Sequence, residues 1–447
     1  MRKYFKTQCM ELLSSLEEAH KQIKDFIAKK NYSSAMQLLE DCQQGAIQIG
    51  TTIDEIEGEG TEAVHVLEDY CEVIYKIHET LDKEQTVNFR QEEKRLRKIV
   101  SKAKAKIRDT LPTQYEIVFL PYKASMWDSL ESVWKEKDAD PDVTAIVIPI
   151  PYYDKNPDGS FKEIHYEATQ FPQEVPITGY KNYNLEERHP DAIYIHNPYD
   201  DANIVTSVVP DFYSDKLRKY TDELVYIPYF ILGDIDPSNE EAVEGVEHFI
   251  TVPAVYNAHR VIVQSEDWKK VYVKVMTKYT GKENKAYWEA KIEGSGSPKV
   301  DRVLNLKETD FILPEEWKAV TTKPDGSRKK IIFYNNSVGS LLQQNDAMLE
   351  KIKRNLEIFK ENKNEVALLW RPHPLMEATL TSMRPDLWEK YRTIVEEYRN
   401  ANWGIYDDSA ELDRAIAISD AYYGDWSSVV WLYKQTGKPI MIQNCEV

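Results

Sequence analysis

The chain has 447 residues, an apolar share of 42% and a formal charge of −18. That length exceeds what one hydrophobic core fills and predicts two or three domains. The acidic balance excludes a nucleic-acid-binding surface spread over the chain, because neutralising phosphates needs Lys and Arg in excess.

Residues 1–111 read as helix throughout. Leu12, Leu13, Leu16, Ala19, Ile23, Phe26 and Ile27 recur every three to four residues, which puts them on one helix face. Similar spacing runs through Met36, Leu38, Leu39, Cys42 and Ile47, and through Val64, Leu67, Tyr70, Cys71, Ile74 and Ile77. Gly58-Glu59-Gly60 reads as a turn with Thr61 as the following N-cap. A bundle of three or four helices ending near Pro112 is expected, with a surface that could carry homo-oligomer contacts. Its last helix is basic: 94–108 holds eight Lys or Arg and no acid, with Leu96, Ile99, Val100, Ala103 and Ile107 as an apolar stripe. Such a helix either packs its stripe in the bundle or lies on an anionic membrane surface.

The four cysteines are Cys9, Cys42, Cys71 and Cys445. None forms a CxxC pair and three fall in helical sequence, so neither a disulfide framework nor a metal site is expected, and a reducing cytoplasm is. The first residues lack the apolar core of a signal peptide. No run approaches the roughly 18 apolar residues of a spanning helix.

After Pro112 short β-branched runs alternate with helical stretches. Strands are expected at 117–120, 145–150, 192–195, 224–227 and 261–263, then at 330–334, 366–370, 403–406, 421–423 and 439–442. This alternation predicts parallel sheets with crossover helices. The Gly294-Ser295-Gly296-Ser297-Pro298 stretch marks a junction near 300, so the expected plan is 1–111 helical, 112–300 a first Rossmann-like domain, and 301–447 a second. Pro157-Asp158-Gly159 and Pro324-Asp325-Gly326 read as turns.

Ligands of open α/β sheets bind beyond the carboxyl ends of the strands. The residues placed there in the second half are Asn335 and Ser337, Arg371 and His373, Asp407 to Ser409, and Gly424-Asp425-Trp426-Ser427-Ser428. Gly424 permits a sharp turn, and the helix start at Ser427 and Ser428 offers N–H groups and hydroxyls to a phosphate; the alternative is a serine that only caps its helix. Arg371 brings a planar fork of donors, and His373, held between Pro372 and Pro374, can act as acid, base or donor. In the first half Lys123 and Ser125 follow the first strand, where a phosphate-bearing acceptor could bind. His196, Asn197 and Tyr199 follow the third and offer a base and hydrogen-bonding groups. No HExxH, GxSxG or post-strand GxGxxG occurs.

Several of these residues form an ordered set. Arg371-Pro372-His373-Pro374, Asp407-Asp408-Ser409-Ala410-Glu411-Leu412, Ile418-Ser419-Asp420, Gly424-Asp425-Trp426-Ser427-Ser428 and Lys438-Pro439-Ile440 follow the order seen in CDP-glycerol glycerophosphotransferases of the teichoic-acid polymerase type. That family shows R-x-H-P, S-D, D-Y-S-S and K-P-I elements, and Gly296-Ser297-Pro298-Lys299-Val300-Asp301 resembles its G-x-P-x-x-D segment. The resemblance spans 115–442 in layout and is specific after 290. It implies a GT-B fold, two facing Rossmann-like domains, here preceded by an all-helical domain. It also implies transfer of glycerol phosphate from CDP-glycerol to an acceptor hydroxyl with release of CMP, in cell-envelope polymer synthesis. No cofactor is implied beyond the nucleotide-activated donor; the acceptor would be an envelope polymer or a lipid-linked molecule at the inner membrane face. By the same resemblance Arg371, His373, Ser427 and Ser428 would hold the donor pyrophosphate and Asp425 would stand as the family's turn aspartate; Gly424, Asn335 and Ser337, at the same strand ends, are expected beside them.

The match breaks at two places, the first being Trp426, which stands where the family's D-Y-S-S element has tyrosine. The family carries W-H-G-T-P, whose histidine is its proposed base, and the corresponding stretch here is Val225-Tyr226-Ile227-Pro228-Tyr229-Phe230, with no histidine. Three readings follow: a polyol-phosphate transferase in which another group such as His196 or His373 serves catalysis, a GT-B glycosyltransferase using a nucleotide sugar, or an inactive nucleotide-binding scaffold.

Overall fold

A computed structural model describes residues 1–83, 85–156, 158–373, 376–409 and 411–443, without the side chains of Ala378 and Ser382. Of the residues named above, Pro157, Pro374, Ala410 and Cys445 lie outside the described set.

Four antiparallel helices come first: α1 (Lys3–Ala28), α2 (Tyr32–Glu57), α3 (Glu62–Asp82) and α4 (Phe89–Thr110). Thr61 caps α3, accepting from the Val64 N–H at 3.3 Å. The stripe of the basic helix is spent inside the bundle, where Leu96, Val100, Ala103 and Ile107 are buried. Its charges face outward and pair locally, Lys104 with Glu17 at 2.6 Å and Lys106 with Glu62. Any membrane contact of this helix would therefore rest on charge alone. Among the described residues no helix is long and apolar enough to cross a membrane.

The next part of the chain forms β1 (Tyr115–Leu120), β2 (Val143–Val147), β3 (Tyr152–Lys155), β4 (Phe161–His165), β5 (Ala192–Ile195), β6 (Thr206–Val208), β7 (Glu223–Tyr226), β8 (Arg260–Ile262) and β9 (Ile292–Glu293). Six of these make a parallel sheet in the order β2-β1-β5-β7-β8-β9. The helical bundle is tied to the strand-start end of this sheet. Arg2 donates to the Arg188 carbonyl at 2.8 Å and pairs with Glu116, and Lys3 pairs with Asp222 at 2.9 Å.

After the helix Pro298–Asn305 come β10 (Lys330–Asn336), β11 (Val366–Pro372), β12 (Ile405–Tyr406), β13 (Ala421–Gly424) and β14 (Ile440–Ile442), all parallel in the order β12-β11-β10-β13-β14. Helices on both faces bury β-branched and aromatic runs such as Ile331, Phe333, Leu368 and Leu369, as two-sided parallel sheets require. Each of the ten expected strands is present within a few residues. The fold is α/β: a GT-B-like pair of Rossmann-like halves behind an all-helical N-terminal domain.

The expectation missed one sheet. β3, β4 and β6 form a small antiparallel sheet, order β4-β3-β6, inserted after the carboxyl ends of β2 and β5. Asp158 and Gly159 lie in the β3–β4 hairpin, where the Gly159 N–H donates to the Asn156 carbonyl at 2.8 Å. The Pro324-Asp325-Gly326 turn is also present, with the Gly326 N–H on the Lys323 carbonyl at 2.9 Å.

Contacts between the halves fix the cleft. Arg302, in the connecting helix, binds Glu131 of the first half and Asp413 of the second. Opposite, Trp431 lies so close to Gly233 that a Cβ there would sit 2.5 Å from the indole. Lys434 pairs with Asp234 beside it. The loop after β7 thus meets the helix after β13, and the carboxyl ends of the two sheets face one another.

Candidate active site

The strand order reverses between β10 and β13 in the second sheet and between β1 and β5 in the first. Crevices open at such switch points, and both contain the residues singled out from the sequence.

In the second sheet Gly424 pairs with Asn335. A Cβ at Gly424 would stand 2.2 Å from the Asn335 carbonyl oxygen, so only glycine lets the strands approach this closely. The Asp425 N–H donates to that same carbonyl at 3.0 Å. The Asp425 carboxylate is buried and accepts from the Ser337 N–H at 2.7 Å and from the Gln443 amide at 2.5 Å. Asn335 donates to the Arg371 carbonyl at 2.8 Å, and the Tyr422 hydroxyl donates to the Asp425 carbonyl at 2.7 Å. Behind this layer Asn336, Asn355 and Tyr334 are joined by buried hydrogen bonds. Such a satisfied polar network holds the loops rigidly.

The turn that this network holds leads into the helix Ser428–Gln435. Ser427 stands at its N-cap, yet its side chain makes no capping hydrogen bond. The Ser427 hydroxyl reaches back to Asn335 Oδ1 at 3.4 Å, and Ser428 is exposed. The first N–H groups and the positive end of the helix dipole are left for a ligand.

Other expected members of the grip have different duties. Arg371 is buried and its fork is used: one nitrogen donates to Asp407 Oδ2 at 2.8 Å, another to the Ser409 carbonyl at 2.6 Å. In this way it anchors the loop after β12. Asn335 and Asp425 likewise position loops, their side chains occupied as described. The Ser337 hydroxyl caps its own helix, accepting from the Ser340 N–H at 3.1 Å. His373 lies at the rim: the residue is exposed, its backbone N–H donates to the Asn336 carbonyl at 3.3 Å, and partial desolvation lowers its pKa. It borders a pocket of ≈ 290 Å³ that also includes Trp388, Arg392, Arg399 and Tyr406.

In the first sheet His196 sits at the switch point but is fully buried. Its Nε2 accepts from the Tyr122 N–H at 3.1 Å, which leaves Nδ1–H to donate to Ser129 Oγ at 2.8 Å. Burial pushes its pKa down to about 3. His196 is therefore a neutral, buried pin between β5 and the loop after β1. Asn197 Oδ1 accepts from the Tyr199 N–H at 3.4 Å, so Asn197 shapes its own turn. Ser125 is exposed. Lys123 extends its ammonium 4.8 Å over the Tyr152 ring.

Tyr122, Tyr199 and Tyr229 gather round His196 at this crest, together with Tyr152 from the inserted sheet. Sequence reasoning missed Tyr152, Glu167, His165 and Asp154, all on or beside that sheet. The Asp158-Gly159 pair was the available signal, since it lies between β3 and β4.

No protein-family model matches the chain, and no curated protein does. Solved structures similar to it include the wall teichoic acid polymerase TagF, at 14% identity over 84% of this chain and 78% of that one, TM-score 0.39. They also include UDP-GlcNAc 2-epimerase from Neisseria meningitidis bound to UDP-GlcNAc, at 12% identity over 73% and 82%, TM-score 0.40. A third is S. aureus MnaA with UDP, at 9% identity over 74% and 79%, TM-score 0.42.

Proposed function

We propose that the chain is a transferase that moves glycerol phosphate, or a related polyol phosphate, from a CDP-activated donor to an acceptor hydroxyl and releases CMP. The observation that carries this reading is the uncapped start of the helix Ser428–Gln435 at the switch point between β10 and β13. The donor pyrophosphate would lie there on backbone N–H groups and the Ser427 and Ser428 hydroxyls. Negative charge grows on the departing CMP as the P–O bond breaks, and preorganised donors stabilise that charge more than they stabilise the ground state. His373, at the rim, would add one further N–H to a phosphate oxygen. Lys123, with Ser125 and Tyr199 nearby, would face the acceptor across the cleft. The acceptor would be an envelope polymer or lipid-linked molecule, reached from the cytoplasmic side of the membrane.

The test is mass-detected CMP release from CDP-glycerol over a panel of polyol and glycolipid acceptors. His373→Ala is expected to lower turnover about 10-fold or more, and full turnover by that variant would contradict its role. A nucleotide-sugar glycosyltransferase is the second reading, favoured by the tyrosines at the acceptor crest, whose rings suit a sugar face. Thermal stabilisation by UDP-sugars and none by CDP-glycerol would select it, since bound ligand raises stability with occupancy.

A further inference from the structure

The transferase reading needs a base for the acceptor hydroxyl, and neither the loop after β7 nor His196 supplies one. The inserted sheet carries a different histidine. His165, on β4, places Nε2 2.8 Å from Asp154 Oδ2 of β3, with the His165 side chain 31% exposed.

We propose that the Asp154–His165 pair is the general base of the acceptor side, standing on the inserted antiparallel sheet rather than in the loop after β7; this rests on the transferase reading above. The carboxylate on Nε2 holds the ring as its Nε2–H tautomer, so Nδ1 presents a lone pair. Among the described residues Nδ1 makes no hydrogen bond. The ring is braced by stacking on Tyr152, centroids 5.0 Å apart. Tyr152 is fixed in turn: its hydroxyl donates to Glu167 Oε1 at 2.7 Å, while Glu167 Oε2 accepts from the Ala124 N–H at 2.8 Å. Ala124 lies in the loop after β1, so the histidine is locked to the switch-point crest by a short, rigid relay. The Lys123 ammonium over the same Tyr152 ring places a cation beside it for an anionic acceptor. Glu163 brings a second carboxylate within 4.8 Å of the pair, next to the charge that forms on the ring.

In the step, the acceptor O–H gives its proton to His165 Nδ1 as its oxygen bonds to the donor phosphorus. The bridging P–O bond breaks, and its electron pair leaves with the nucleotide monophosphate. The imidazolium is held by Asp154 until it returns the proton to water.

Two measurements test this. Nitrogen NMR of the histidine side chains should show His165 as the Nε2–H tautomer at pH 8, and Asp154→Asn should remove that preference. An Nδ1–H tautomer in the wild-type protein overturns the proposal without reference to turnover. In the CMP-release assay H165A should lose about 100-fold or more in kcat and bind CDP as the wild type does. An H165A variant within about threefold of a wild type that turns over overturns the proposal alone. A wild type that binds CDP and never releases CMP overturns the transferase reading and this one with it. Activity abolished by EDTA and restored by a divalent cation only when His165 is present would make Asp154, Glu163 and His165 a metal site, and would also overturn it.

Discussion

Replacing His196 with Phe removes a buried neutral imidazole while keeping most of its volume, and the structure sets the size and pH dependence of the result. The wild-type ring has its pKa pushed from 6.5 down to about 3 in the folded protein. Below pH 6.5 the unfolded chain binds a proton there and the folded one does not. Stability from this group is therefore complete above 6.5 and is lost as pH falls through the window from 6.5 to 3. At about 1.4 kcal/mol per pH unit, acidification from pH 7.5 to 5 costs the wild type roughly 2 kcal/mol through this residue alone. At neutral pH, His196→Phe orphans the Tyr122 N–H, which costs about 1–3 kcal/mol. Urea unfolding of both proteins at pH 7.5 and 5 measures the two effects separately. The variant is expected to be less stable at pH 7.5, with the gap closing by roughly 2 kcal/mol at pH 5. Parallel losses in the two proteins would refute the neutral, buried assignment and restore His196 as a solvent-reachable base.

Other outcomes follow from the same geometry. Gly424→Ala, forcing a methyl onto the Asn335 carbonyl, should lower Tm by several degrees and weaken CDP binding at least 10-fold by calorimetry, because β13 must move off β10. Lys291 is buried with its ammonium on the Tyr256 carbonyl at 2.9 Å and its pKa lowered from 10.5 to about 7. The burial cost is full below pH 7 and relieved as pH rises towards 10.5, so Lys291→Met should stabilise the protein at pH 7 and lose that advantage by pH 10 in thermal melts. Arg302→Ala leaves Glu131 and Asp413 without the guanidinium they share; small-angle scattering should show a larger radius of gyration as the two halves separate.

Ten strands were legible because a parallel sheet buried on both faces demands short continuous runs such as Ile331-Ile332-Phe333, bounded by turn residues. The inserted sheet was not legible. β4 is largely exposed, and its residues Phe161-Lys162-Glu163-Ile164-His165 do not alternate cleanly. The helix start at Ser427 and Ser428 was readable from its glycine and serines. The roles of Arg371 and His196 were not, since they depend on partners far along the chain: Asp407 lies 36 residues from Arg371, and Tyr122 lies 74 from His196. Residue type announces what a side chain can bind, and the fold decides whether that capacity is already used.

The central claim is that the donor diphosphate rests on the start of the helix Ser428–Gln435. A crystal structure with CDP bound tests it most directly. The account predicts phosphate oxygens within about 3 Å of the Ser428 and Val429 N–H groups and of at least one of the two serine hydroxyls. A diphosphate seated elsewhere in the cleft, with those N–H groups facing only water, would contradict it.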